Sequence, residues 1–208
     1  MTEIVETKQD AGQPKGRYHH GDLREALIQA TAELVEQRGA ENFSLADACR
    51  CAGVSTAAPY RHFRDKQEIL EEITARGFDT LNQQSMAAIE EYGSGTLEGI
   101  TAMGRTYVAF AVEEQATFRL MFGQKPSLKT SELVETRGHI CFESVIGEVA
   151  TYCQKNGIEG DAREISVQLW TLVHGAASLI IDGDYEKVAP DVNIEQMIVA
   201  ATRQLLAR

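Results

Sequence analysis

Apolar residues recur along this chain at spacings of three and four, and sustained alternation of period two is absent. That rhythm belongs to helices that bury one stripe, so the pattern predicts an all-α protein. The first stripe is Leu23, Ala26, Leu27, Ala30, Leu34 and Val35. Asp22 and Glu25 make a capping-box pattern at its start, and Arg38-Gly39 makes a suitable end. Ser44 with Asp47 predicts a short helix over 45–52, and Ser55 another over 56–63. Asp65 with Glu68 opens a long helix over 66–91, with Ile69, Leu70, Ile73, Phe78, Leu81 and Ile89 on its inner face. Gly93-Ser94-Gly95 breaks the chain, and helices follow over 96–113, 116–122 and 128–155, with Pro126 in a loop. Asp161 with Glu164 caps a further helix that reaches residue 181. Asp182-Gly183-Asp184 and Pro190 then form a connection to a last helix over 194–207. This makes roughly nine helices.

One stretch is more than a helix pair. Residues 44–63 read SLADACRCAGVSTAAPYRHF. A helix-turn-helix needs a short helix, a sharp turn and a second helix at a steep angle. Cys49 is small where the first helix must approach the second. Gly53 supplies the turn, Val54 anchors it, Ser55 caps the second helix and Phe63 closes it inward. The outer face then offers Thr56, Ala57, Tyr60, Arg61 and His62. Short side chains at the start let such a helix approach base edges, while Tyr60 and His62 can donate to phosphate oxygens. Ser44 and Ser55 at the helix starts join them as candidate DNA contacts. Lys66, among the free N–H groups of the next helix, makes a candidate phosphate site. Pro59 lacks an N–H, so it cannot donate to the carbonyl of Ser55, which strains or delays the first turn.

Charge at first opposes this reading. The 208 residues carry a formal net charge of −11. The excess is uneven: residues 15–66 hold 8 Lys and Arg against 7 Asp and Glu, whereas residues 67–208 hold 11 against 21. DNA affinity depends on local cations, so an acidic distal part does not forbid it. Residues 1–15 read as a disordered arm. Arg17-Tyr18-His19-His20 behind it can lie on a phosphate backbone or enter a minor groove, or can be a solvated tail. The polar N-terminus has no signal-peptide stretch, and no uninterrupted apolar run of about 18 residues marks a membrane span. The expectation is a cytoplasmic protein with reduced cysteines at 49, 51, 141 and 153.

The string FSLADACRCAGVSTAAPYRHFRDKQEIL, from Phe43 to Leu70, resembles the DNA-binding domain of the TetR family of bacterial regulators. Trp170-Thr171-Leu172-Val173-His174-Gly175 is similar to the Trp-x-x-x-His-Gly feature of one C-terminal subgroup of that family, which also resembles this chain in having proline at the position of Pro59. Cys49 stands where the family usually has alanine. The resemblance implies a helix-turn-helix domain over 16–68 and a helical ligand-binding and dimerisation domain over 69–208. It further implies a ligand-responsive regulator, in the first instance a repressor that leaves its operator when a small molecule binds.

The residues of the second part allow this. Met103, Tyr107, Phe110, Phe118, Met121, Phe122, Phe142, Ile146 and Trp170 can line an apolar pocket or can be plain core. His174, one turn after Trp170, can bond a ligand or satisfy a neighbouring carbonyl. In the last two long helices Gly175, Ala176 and Ala177 permit close approach, and Ile180, Ile198, Leu205 and Leu206 supply apolar surface. Two such helices from each subunit make a four-helix homodimer interface, and two-fold symmetry then predicts a palindromic double-stranded DNA operator. His139 with Cys141, and Cys49 with Cys51, diverge on a helix and make poor metal pairs. No cofactor motif, phosphate loop or nucleophile elbow appears. An enzyme built on His139, His174, Cys141 and Glu143, a protein-interaction module, and redox sensing by Cys141 or Cys153 remain as alternatives.

Overall fold

The computed structural model describes residues 20–57, 59–123 and 131–207, with no strand among them. The α-helices are α1 (His20–Arg38), α2 (Leu45–Cys51), α3 (Lys66–Tyr92), α4 (Leu97–Glu113) and α5 (Gln115–Phe122). They continue as α6 (Glu132–Asn156), α7 (Ala162–Ile181), α8 (Asp184–Val188) and α9 (Ile194–Leu206). The all-α expectation holds, with three differences in the elements. The helix expected over 56–63 is absent; only a single 3-10 turn, Pro59–Arg61, follows α2. The connection expected at 182–190 contains α8. And α1 begins at His20, which places Asp22 inside the helix rather than at its cap.

Caps explain most of the boundaries. Ser44 and Asp47 exchange side-chain and backbone bonds as a full capping box on α2. Asp65, Thr96, Ser131, Asp161 and Asn193 accept from the first-turn N–H groups of α3, α4, α6, α7 and α9. Ser131 therefore starts α6 at Glu132, later than the apolar pattern suggests. Gly157 ends α6 in the left-handed conformation that glycine adopts without strain.

Three apolar clusters share α3 as their spine. The first gathers Leu27, Ile28, Leu34 and Val35 of α1 with Cys49, Phe63, Ile69, Leu70, Ile73 and Leu120. The second joins Phe78 and Leu81 to Tyr107, Phe110, Phe118, Val173 and Ile198. The third holds Ile89, Ile100, Met103, Val149, Leu169 and Leu206. α3 thus runs through both expected domains without a break. Ion pairs fasten α1 to it: Arg24 to Glu72 at 2.8 Å, and Arg76 to both Glu25 at 2.7 Å and Glu72 at 2.9 Å. Bonds from Arg24 and Arg76 hold the Glu72 carboxyl below its ordinary range.

α7 is the one described helix long and apolar enough to cross a membrane by composition alone. Its inner face packs on α4, α6 and α9. Its outer face leaves Val167 and Leu179 each 42% exposed, and Thr171 is exposed between them.

Candidate nucleic-acid interface and cavity

The turn after α2 is built from backbone. Val54 N–H donates to Cys49 O at 2.9 Å, and Gly53 N–H to Arg50 O at 3.2 Å. Gly53 has φ +67°, which is why glycine is needed there. Pro59 explains the missing helix. It has no N–H to give the Ser55 carbonyl, so an α-turn capped by Ser55 does not close. Instead the helical turn begins at Pro59 itself, where the missing donor costs nothing, and the Pro59 carbonyl accepts from His62 at 2.8 Å and Phe63 at 2.9 Å. The ring of Pro59 is buried, and Phe63 closes the turn into the first cluster beneath the Arg24 guanidinium, 5.2 Å above its ring.

The exposed face that results carries Ser55, Thr56, Ala57, Tyr60 and Arg61, with Tyr60 67% exposed. Arg61 has no ion-pair partner among the described residues. Three expected contacts sit differently. Nε2 of His62 is enclosed, with no hydrogen-bond partner among the described residues. Ser44 is occupied in its capping box, whose bonds from Ser44 and Arg50 hold Asp47 down to about 2. The Lys66 ammonium donates to Phe43 O at 2.7 Å and lies 4.0 Å over the Phe43 ring. Arg17 lies outside the described residues.

The second part holds a partly open cavity of about 600 Å³ between α3, α4, α5, α6 and α7, touched by Thr202 of α9. Among the expected pocket residues, Met103, Tyr107, Met121, Phe122, Phe142 and Trp170 line it. Phe110, Phe118, Ile146 and His174 do not. Phe110 is buried in the second cluster. His174 lies behind the wall, with ring centroids 5.1 Å from Phe122 and 5.4 Å from Phe118. Phe78 and Leu81, on the apolar inner face of α3, extend that face into the cavity, and the polar Ser85 lies one turn further on. Apolar periodicity could not have found Glu135, Gly138 or His139, polar or bare positions that only the approach of α6 to α3 turns into a wall.

The cavity wall holds one polar chain. Trp170 Nε1 donates to Tyr107 Oη at 3.2 Å, and Tyr107 Oη meets His174 Nδ1 at 2.7 Å. Burial pushes the His174 imidazole below its ordinary value and the Tyr107 phenol well above its own. Both are therefore neutral near pH 7. With Trp170 donating to its oxygen, the phenol's one proton is used within the chain when it is donated to His174 Nδ1, with the imidazole proton assigned to Nε2. Tyr107→Phe strands both partners in a semi-apolar setting. It should cost about 1–3 kcal/mol in urea unfolding and shift Trp170 emission. An unchanged spectrum and midpoint would remove the chain from the account. Burial also lifts the Cys141 thiol in the wall to about 11, aided by the charge of Asp79, so at neutral pH it is a thiol and not the thiolate that redox chemistry needs.

The expected dimer residues divide. Ala176 and Ile198 are buried in the second cluster of their own subunit, so neither can meet a partner. Leu205 packs half-buried against the third cluster, and Gly175 and Ile180 are half-buried. The face of α7 that remains open is the i, i+4 row Val167, Thr171, Gly175 and Leu179. A side chain at Gly175 would meet nothing within 4 Å.

A short capped helix, a glycine turn and a 3-10 turn over the span of a helix-turn-helix, mounted on a helical domain with an apolar cavity, have the layout of a DNA-binding transcription regulator. Residues 27–73 match the family described as bacterial regulatory proteins, tetR family. Residues 100–203, half of the chain, match the tetracyclin repressor-like C-terminal domain. The protein belongs to the tetR family. It is 25% identical over 189 residues to the nucleoid occlusion factor SlmA of Vibrio vulnificus, covering 88% of this chain and 95% of that one. A structure of a protein with unknown function from Rhodococcus sp. RHA1 is 30% identical with a TM-score of 0.80, covering 93% of this chain and 98% of that one. The fold is also that of the TetR family regulator PfmR from Thermus thermophilus, at 20% identity and TM-score 0.63, covering 87% of this chain and 97% of that one.

Proposed function

We propose that the protein is a homodimeric cytoplasmic repressor that holds a palindromic operator and releases it when a small, largely apolar effector fills the cavity. One observation carries the coupling. On α5, which packs on α1 and α3, Leu120 lies in the first cluster, while its neighbour Met121 lines the cavity. A ligand that displaces the wall therefore moves a residue of the DNA-binding core. Such a ligand acts only through its difference in affinity between the two arrangements. Tyr60 and Arg61 make the exposed DNA contacts, with Thr56 and Ala57 at the base edges. Lys66 and Ser44 support the turn from behind, which is an assignment made on their intramolecular bonds.

The test is selection of bound DNA followed by titration at several salt concentrations. Arg61→Ala should weaken operator binding about tenfold, and if it meets a phosphate the salt slope should fall by about 1. Operator binding unchanged by Arg61→Ala and Tyr60→Ala together would remove this face from the interface. A second reading is favoured by the similarity to SlmA: a nucleoid occlusion factor. It predicts operator affinity that no cavity ligand changes.

A further inference from the structure

The cavity has a sign as well as a shape. Its walls are aromatic, from Phe78, Tyr107, Phe122, Phe142 and Trp170, and their faces attract cations. Among the described residues no Lys or Arg lines it, and the one carboxylate that does is Glu135. His139 stands one helical turn from Glu135 on the same face of α6, so carboxylate and imidazole share the solvent-exposed edge of the cavity. Glu135 has no ion-pair partner among the described residues. The nearest guanidinium on its helix, that of Arg137, is turned to Asp79 at 3.4 Å. The interior polar groups supply no positive charge either, since the Ser85 and Thr202 hydroxyls that line the cavity are neutral. The Tyr107 hydroxyl already donates to His174 and accepts from Trp170, and Cys141 is an un-ionised thiol.

We infer that the cavity takes an organic cation: an apolar body lodged among the aromatic rings, and an amine or quaternary ammonium head against Glu135. An anionic head, such as a fatty carboxylate, would meet the Glu135 carboxylate with no Lys or Arg among the described lining residues to answer it, only the His139 imidazole beside it. This rests on the reading of the cavity as an effector site and adds the charge class of the effector. A chain of about twelve carbons is within the volume, since cavities of this size hold drug-sized molecules.

The protein carries its own probe, because Trp170 is the sole tryptophan and lies in the wall. Its emission is titrated with dodecyltrimethylammonium, dodecanol and dodecanoate, all below their aggregation limits, in wild type and in Glu135→Gln. The expected order places the cation first, about tenfold or more tighter than dodecanoate. Glu135→Gln should weaken the cation by about three- to fivefold and leave dodecanol unchanged, since only the charge is removed. Equal or tighter binding of dodecanoate, or a cation affinity indifferent to Glu135→Gln, overturns the inference while leaving the effector site standing. Absence of binding by all three, dodecanol included, overturns the inference and tells against the effector site as well.

Discussion

Val167→Asp combined with Leu179→Asp should give a folded monomer whose operator affinity has dropped by about two to four orders of magnitude. Both side chains are already two-fifths exposed in the subunit, so replacing them leaves its own core intact. They lie on one row of α7 with Thr171 and Gly175, and a two-fold partner helix would bury that row. A charge from each copy would then face its twin in a desolvated contact, which is strongly unfavourable. Without the dimer, the second half-site no longer binds as an intramolecular event, and that is the origin of the large loss. Sedimentation gives the mass and a DNA titration gives the affinity. A double variant that remains dimeric would move the interface off α7. Ile198→Asp makes the opposite control. Its side chain is buried within the subunit, so an unpaired charge there should unfold the protein by more than about 3 kcal/mol rather than separate two folded copies.

Gly77→Val is expected to destabilise the protein by about 1–3 kcal/mol and to loosen the cavity at the same time. A Cβ at Gly77 would stand 2.7 Å from both Met121 Sδ and Thr117 Cγ2, so α3 and α5 can meet only because residue 77 has no side chain. The thioether can swing away, but Thr117 is short and held close to its own helix. α5 must therefore shift. Its displacement moves Met121 in the cavity wall and Leu120 in the DNA-binding core together. Urea unfolding, Trp170-detected ligand binding and operator affinity should all change. Gly147→Ala in α6 provides the contrast, since nothing lies within 4 Å of its Cβ. There the helix gains up to about 1 kcal/mol, and function should be unaffected. If Gly77→Val left both affinities at wild-type values, α5 would not be the link between the two sites.

Much of this molecule is written in local sequence. The stripe from Leu23 to Val35, the capping box at Ser44 and the caps at Asp65, Thr96 and Asp161 set where helices begin, because each is an interaction between residues two to four apart. The resemblance around residues 43–70 named the family for the same reason, since a helix-turn-helix is assembled from neighbours in the chain. Pro59 also acted locally. Its missing donor is visible in the sequence, although the outcome, a 3-10 turn that starts at the proline, needed the backbone to show it.

Tertiary structure decided which apolar residues are core, wall or open face, a choice that local pattern leaves undetermined. Phe110 and Phe122 look alike in sequence, yet one is core and the other lines the cavity, because α6 and α7 cover one and leave space beside the other. Ile198 and Leu179 both suit a dimer contact, and only the docking of α9 onto α4 and α7 puts the first inside and leaves the second out. The carboxylate at Glu135 acquires meaning only when α3 brings Phe78 opposite Gly138 and makes that edge of α6 the rim of a cavity. Periodicity reports that a side chain faces something. What it faces is set by chain segments tens of residues away, and those contacts are fixed by packing.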